Sequence, residues 1–113
     1  MKELSIGQMA RLNGVSEQAL RLYDKVGLFS PMYRDRENGY RYYDIRQSAQ
    51  LDMIQHMKSL GMSLKDIRAQ LQDFDLDQFK KILMKNSRAI DEQIQELHYQ
   101  KRAIRRTLES YKW

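Results

Sequence analysis

The sequence of 113 residues contains no cysteine, one proline and five glycines. Without cysteine there is no disulfide framework, thiolate metal site, iron–sulfur cluster or cysteine nucleophile. No apolar run approaches the roughly 20 residues that a membrane-spanning helix needs. The first residues also lack the hydrophobic segment of a secretory signal peptide. We therefore expect a cytoplasmic protein with no membrane partner.

Residue patterns typical of enzymes are missing as well. His56 and His98 are isolated, and neither belongs to a metal-binding motif such as His-Glu-x-x-His. There is also no phosphate-binding glycine loop and no nucleophile elbow. The acidic segment at residues 73–77 fits a helix cap better than a calcium loop, because no central glycine follows it. The sequence predicts a protein that is not an enzyme and holds no cofactor and no metal.

Four short helices are predicted in the first 72 residues. Each begins after a side chain that can accept a hydrogen bond from the unpaired backbone N–H groups of a first helical turn. Gln8 follows the first of these caps by three residues, which is the pattern of a capping box. The caps are Ser5, Ser16, Asp44 and Ser63, and Gly27 and Gly61 end the second and third helices.

The segment "ENGYRYYD", residues 37–44, predicts the tip and returning strand of a β-hairpin. Its Asn-Gly pair favours a two-residue turn, because both central positions of that turn take positive φ. Side chains alternate along a strand, so Arg41 and Tyr43 share one face, and the other face carries Tyr40 and Tyr42. We expect Arg41 to face outward, while Tyr40 and Tyr42, or Tyr43, pack into the core.

The first two helices, joined by the short glycine-containing turn "LNGVS", predict a helix-turn-helix, whose second helix enters the DNA major groove. At its start, after Ser16, Gln18 could bond an adenine edge and Glu17 could accept from a cytosine amine. Arg21 and Tyr23 have the reach and the donors for phosphate contacts. For each of these side chains the alternative is a solvated helix surface.

The hairpin supplies a second set of candidate DNA contacts, Arg34, Arg36 and Arg41, within eight residues. A net charge of +5 permits an anionic partner without requiring one. The alternative is a solvated arginine cluster with no partner.

A heptad repeat predicts one long helix from Leu76 to the end. No proline or glycine interrupts the chain after Gly61, and a helix of this length would be roughly 57 Å long, more than the N-terminal unit can cover. A coiled coil with a second copy or with another chain is expected, and Ser87 and Lys101 are polar register positions. The predicted dimerisation seam is Leu83, Ile90, Ile94, Leu97, Ile104, Leu108 and Tyr111.

Three blocks within residues 4–70 carry a resemblance to a known family: "LSIGQMARLNGVSEQALRLYDKVGLFSP", "RDRENGYRYYD" and "LDMIQHMKSLGMSLKDI". In order and spacing they resemble the MerR family of bacterial transcription regulators, most closely its multidrug-responsive branch. The resemblance implies a mainly α protein with a winged helix-turn-helix at 1–72, built from four short helices and a β-hairpin wing. A linker and a long helix at 73–113 would form an antiparallel dimeric coiled coil.

The resemblance also implies a mechanism. A homodimer would bind an inverted repeat in a promoter and bend and untwist the spacer, so that RNA polymerase reads both of its recognition elements. Phosphate contacts fall on Arg21 and Tyr23 and, in the wing, on Arg41 with Tyr42 beside it. Lys58, Ser63 and Lys65 form a further backbone anchor. Leu22 replaces an aromatic residue that is usual in the family, so any ring or hydroxyl contact there is lost.

Members of that branch bind organic cations in a C-terminal domain, and we expect no effector-binding domain in this chain. A small organic effector would act through a region absent from it. The alternative function is a coiled-coil interaction module whose winged domain binds a protein. DNA affinity that falls as salt rises would distinguish the two, since phosphate neutralisation releases counterions.

Overall fold

The computed structural model of the chain describes residues 3–112, and the chain divides into two compact units after Phe74. The first unit contains every strand of the described residues and all helices but one. The predicted mainly α winged helix-turn-helix with a long C-terminal helix is confirmed. The elements are β1 (Glu3–Ser5), α1 (Ile6–Asn13), α2 (Glu17–Lys25), β2 (Tyr33–Arg34), β3 (Arg41–Asp44), a 3₁₀ turn (Ile45–Gln47), α3 (Ser48–Ser59), α4 (Leu64–Gln72) and α5 (Leu76–Ser110).

Local side-chain caps start the helices as predicted. The hydroxyl of Ser5 accepts from the backbone N–H of Gln8, and the Gln8 side chain accepts from the backbone N–H of Ser5, which completes the capping box. Ser16 and Ser63 each accept from the N–H three residues later. These contacts satisfy backbone donors that would otherwise lack a partner.

The third helix differs from the prediction at its start. Asp44 caps only the 3₁₀ turn, where its carboxylate accepts from the backbone N–H of Arg46 and its own N–H donates to the Gln47 side chain. The α-helix begins at Ser48. The cap was located correctly, but the turn that it starts is tighter than an α-helix.

The three strands form an antiparallel sheet in the order β1-β3-β2. β1 was not predicted, because three residues directly before a helix carry no clear alternation. In this sheet Leu4 lies opposite Tyr43, and Arg34 lies opposite Arg41. β3 is therefore the central strand of the sheet, with β1 on one side and β2, the other strand of the hairpin, on the other.

The predicted two-residue turn at the hairpin tip is wrong. Residues 35–40 connect the strands, and Gly39 alone within the hairpin takes positive φ, at 72°. The Asp35 carboxylate accepts from the backbone N–H groups of Glu37 and Asn38 at 2.8 and 3.3 Å, and the Asn38 side chain accepts from the N–H of Tyr40. These side-chain contacts stabilise a longer loop than the Asn-Gly pair suggests.

The core of the first unit joins α1, α2, α3 and α4 to the sheet. Tyr43 is the wing tyrosine that enters it, with its ring stacked on Phe29 at a centroid distance of 5.9 Å. Of the two alternatives that the strand pattern left open, the one with Tyr43 in the core is confirmed, whereas Tyr40 is 64% exposed and Tyr42 is only partly buried. The most deeply buried large side chains are Tyr23, Tyr43, Met9, Leu20, Leu51, Ile54 and Ile67.

The second unit is the single helix α5, which Asp75 caps by accepting from the N–H of Gln78. Its 35 residues correspond to a length of roughly 52 Å. No residue of α5 is buried. Of the predicted seam, all but Leu83 are among the exposed large apolar side chains, from Ile94 at 47% to Tyr111 at 69%. Among residues 3–112, no helix is long and apolar enough to cross a membrane.

Candidate nucleic-acid interface

An open groove of about 450 Å³ lies between the start of α1, the first turns of α2 and the wing, which we define as residues 33–44. It brings together four of the predicted contact residues from two elements that are distant in sequence. It also includes wing and α1 residues that sequence reasoning did not assign. The lining residues are Ser5, Ile6, Gly7, Glu17, Arg21, Gly39, Tyr40, Arg41 and Tyr42.

On α2, which we call the recognition helix, Arg21 and Glu17 form an exposed ion pair at 3.2 Å. Both side chains are about half exposed, and such i,i+4 pairs contribute only about 0.3–0.5 kcal/mol. The Arg21 guanidinium can therefore exchange this partner for a phosphate with little loss. The positive charge of Arg21 also offsets the negative charge of Glu17, so Glu17 repels an anionic ligand less.

Asp24 is a residue of the candidate site that sequence reasoning missed. Its carboxylate, only 5% exposed, accepts from Arg41 Nε at 2.9 Å and from Arg34 Nη2. Burial opposes ionisation of this carboxylate, but the hydrogen bonds and charges of Arg41 and Arg34 outweigh it, so the pKa of Asp24 lies below its ordinary value. Arg41 is therefore held against the recognition helix, and the expectation that it simply faces outward is incomplete.

One sequence feature could have pointed to Asp24. It occupies the last turn of the recognition helix, where the helix dipole disfavours negative charge. An acidic residue at such a position gains from a cation supplied by another element. Sequence alone does not say that this cation comes from the wing.

Tyr23 does not lie where a phosphate could reach it, and its predicted role is withdrawn. The residue is 1% exposed, and its hydroxyl donates to Gln55 Oε1 at 3.0 Å. The same hydroxyl accepts from Lys58 Nζ at 3.1 Å, and Lys58 also lies 5.5 Å from the centre of the Tyr23 ring. Tyr23 thus positions the exposed Lys58 instead of serving as a contact itself.

The wing is braced on the face opposite to Arg41. Tyr33 stacks on Tyr42 with ring centroids 5.2 Å apart, and the Tyr33 hydroxyl donates to Glu3 at 2.6 Å. This hydrogen bond, with the negative charge of Glu3, raises the pKa of Tyr33 to about 12. The contact keeps Tyr42 stacked at the edge of the groove.

The remaining predicted contacts are exposed but lie outside the groove lining. The hydroxyls of Ser16 and Ser63 accept from backbone N–H groups, and each keeps its own proton for a further acceptor. The other members of this set are Gln18 on the recognition helix, Arg36 at the wing tip, Lys58 near the end of α3 and Lys65 in α4. Leu22, the departure noted in the sequence, is 44% exposed. Within residues 3–112, no group of three or more histidine or acidic side chains is placed to hold a metal ion.

Comparisons with known proteins agree on one family. A model described as the MerR HTH family regulatory protein matches residues 4–73, and one described as MerR, DNA binding matches residues 48–110. The multidrug-efflux transporter 1 regulator of Bacillus subtilis is 38% identical over 96 residues, which cover 83% of this chain and 34% of the relative. The chain therefore spans about a third of that relative's length.

Solved structures give the same result. The EcmrR–DNA complex in EcmrR-RPo aligns with a TM-score of 0.81 and 27% identity, over 96% of this chain and 40% of the other. HiNmlR, a MerR family regulator lacking the sensor domain and bound to promoter DNA, aligns with a TM-score of 0.58 and 28% identity. That alignment covers 97% of this chain and 90% of HiNmlR.

Proposed function

Because this chain belongs to the MerR family of helix-turn-helix regulatory proteins, we propose that it is a sequence-specific DNA-binding transcription regulator. The observation that carries the proposal is the groove that joins the recognition helix to the wing. It presents Arg21 and Arg41 from two elements to one surface, as backbone recognition of DNA requires. As a transcription regulator, the protein would act in the cytoplasm and would not be an enzyme.

In this proposal the recognition helix enters the major groove with its N-terminal residues toward the bases. Gln18 is exposed at the second helical position, where its amide can pair with an adenine edge, and Glu17 can accept from a cytosine. Arg21 and Arg41 contact phosphates on either side. Arg34, Arg36, Lys58, Ser63 and Lys65 add backbone contacts farther out.

We also propose that two copies pair through α5. A helix with no buried residue and an apolar stripe exposed along most of its length needs a partner, and a second copy in antiparallel orientation supplies the same seam. Such a dimer presents two recognition helices related by a twofold axis. It is therefore suited to an inverted repeat.

The relatives support action at a promoter. HiNmlR, aligned over nearly the whole of this chain, is bound to promoter DNA without a sensor domain, and EcmrR is in complex with DNA. We propose that the dimer bends and untwists the promoter spacer and so acts on RNA polymerase indirectly, through the shape of the DNA. The match to the multidrug-efflux regulator covers 34% of that relative. A small organic effector would bind through a region that corresponds to the unmatched part of that relative.

Salt-dependent binding tests the DNA proposal. The chain would be titrated onto the tightest duplex that it selects from a randomised library, at several salt concentrations. We expect Arg21→Ala to weaken binding and to reduce the slope of log affinity against log salt by about one. Arg102→Ala is the control, since it removes the same charge from an exposed arginine of α5 that does not line the groove.

Two results would count against DNA recognition. One is that the folded chain selects no duplex at low salt. The other is that the two variants change the salt slope equally. Either result would favour the alternative of a winged domain that binds a protein.

A further inference from the structure

We propose that Asp24 is a positioning residue, which holds the wing arginines Arg34 and Arg41 at the recognition helix in the geometry that DNA binding uses. The inference rests on the proposed function and deepens it. It starts from a contact between elements that are otherwise separate, because Asp24 belongs to α2 and the two arginines belong to β2 and β3.

The wing contains an electrostatic conflict that Asp24 resolves. Arg34 and Arg41 are directly opposite each other on neighbouring antiparallel strands, so both side chains project from the same face. Like charges at directly opposed positions repel and destabilise strand pairing. The same Asp24 oxygen, Oδ2, accepts from both guanidinium groups and so draws them together.

The way in which Arg41 is held leaves it able to bind a second anion. Asp24 takes the Nε donor of Arg41, while its terminal amino groups form no hydrogen bond to the rest of residues 3–112. A guanidinium has five N–H donors in a rigid plane, so fixing the inner donor also fixes the direction of the outer ones. Arg41 lines the groove, so those outer donors are the ones a phosphate would meet.

Burial shows that Asp24 is more than a surface counter-ion. Its side chain is 5% exposed, whereas those of Arg34 and Arg41 are 53% and 26% exposed. A buried carboxylate is stable only when it is paired, and here every paired cation comes from the wing. The carboxylate therefore ties the wing to the recognition helix from inside the unit, and one net positive charge remains at its surface.

Positioning and simple charge make opposite predictions for Asp24→Asn. Removing a negative charge near DNA should tighten binding if Asp24 acts only by neutralising the arginines. If Asp24 positions them, the wing arginines repel each other and lose their fixed direction, so binding should weaken. The sign of the change decides between the two.

The experiment uses the full chain and the duplex that it selects from a randomised library. We expect Asp24→Asn to weaken binding about tenfold, in the range set by losing hydrogen bonds to charged groups. Asp52→Asn is the matched control, because it makes the same chemical change at an exposed residue of α3 and raises the net charge equally. We expect the control to bind as tightly as the wild type or slightly tighter. Binding of Asp24→Asn that equals or exceeds that of Asp52→Asn would overturn the proposal.

A double-mutant cycle separates positioning from a general loss of structure. Arg41→Ala should weaken binding and lower the salt slope in the wild-type chain, but should change little when Asp24 is already Asn. Equal losses in both backgrounds would mean that Arg41 works independently of Asp24. If the wild-type chain selects no duplex, the proposed function itself fails, which differs from either outcome of the cycle.

A measurement on the free wild-type chain covers the case in which Asp24→Asn does not fold. The Nε–H resonance of Arg41, assigned by its disappearance in Arg41→Ala, should exchange slowly with water and stand apart from those of exposed arginines. A resonance that exchanges as fast as theirs would show that the arginine is not held, and would overturn the proposal.

Discussion

The two units of the chain solve the problem of apolar surface in opposite ways. In the first unit, side chains from four helices and a small sheet bury one another, and seven large ones are less than 2% exposed. In α5 no residue is buried, although its heptad positions are as apolar as many of those in the core. The first unit buries its own large apolar side chains, whereas the apolar stripe of α5 is exposed in the single chain and is covered only in the dimer that we propose. Folding and assembly should therefore respond to different substitutions.

The largest effect should come from the core of the first unit. Leu20→Ala removes a fully buried side chain and should lower the free energy of unfolding of that unit by about 2–5 kcal/mol. Leu22→Ala is the control on the same helix, since Leu22 is 44% exposed and its loss should change stability by less than about 1 kcal/mol. Urea unfolding followed by hydrogen exchange of the α2 amides gives both values. Similar losses for the two variants would mean that the packing described for α2 is incorrect.

The next largest effect should appear in assembly. Leu97→Gln places an amide in the predicted seam of both copies and should weaken the dimer about 100-fold or more. Tyr99→Gln is closely matched, because Tyr99 is 64% exposed in the single chain and Leu97 is 63%, but only Leu97 belongs to the heptad seam. Sedimentation equilibrium would measure both dissociation constants. If Tyr99→Gln weakened the dimer as much as Leu97→Gln, the seam would lie on another face of α5.

A smaller effect is expected at Tyr23, where the core of the first unit meets a candidate DNA contact. Tyr23→Phe keeps the buried ring but removes the hydroxyl between Gln55 and Lys58, so the free energy of unfolding should fall by about 1 kcal/mol. Tyr40→Phe removes a hydroxyl from an exposed side chain, so its free energy of unfolding should lie within about 0.5 kcal/mol of the wild-type value. Thermal unfolding of both variants makes the comparison. Equal values would indicate that the Tyr23 hydroxyl is hydrated rather than bridging.

The smallest effect is a pH dependence of stability due to Asp24, which should appear only in acid. The pKa of Asp24 in the folded state is below its ordinary value of 3.8, so the charged form stabilises the first unit fully above that value. This contribution is lost as pH falls through the lowered pKa. The stability difference between wild type and Asp24→Asn should therefore be constant near neutrality and shrink below about pH 4. A difference that stayed constant in acid would show that the carboxylate is not preferentially ionised in the fold.

Local chemistry explains why much of the fold could be predicted. A cap depends on residues three positions apart, so Ser5 with Gln8, and likewise Ser16 and Ser63, could be identified without knowing the fold. The long helix α5 followed from the heptad spacing alone. The prediction of the hairpin tip failed for an equally local reason. The Asp35 side chain stabilises a longer loop than the two-residue turn that an Asn-Gly pair favours.

The site was less predictable because its contacts join distant residues. The sequence shows that Arg41 is on the returning strand, but not that Asp24, 17 residues earlier, accepts its Nε donor. Likewise, Tyr23 and Arg21 look equally available on the recognition helix, and only tertiary packing puts one in the core and leaves the other in the groove. Residue type indicated what each side chain can bind, and the fold determined which of them line the groove.

A nuclease footprint of the chain on the DNA upstream of its own gene tests the central claim most directly. That claim is that the self-contained unit binds DNA and that the unpaired helix brings two such units together. The account predicts protection of both halves of an inverted repeat, with enhanced cutting at its centre, and loss of the paired pattern in Leu97→Gln. No protection at low salt by folded, dimeric wild-type protein, there or on duplexes selected from a random library, would contradict it.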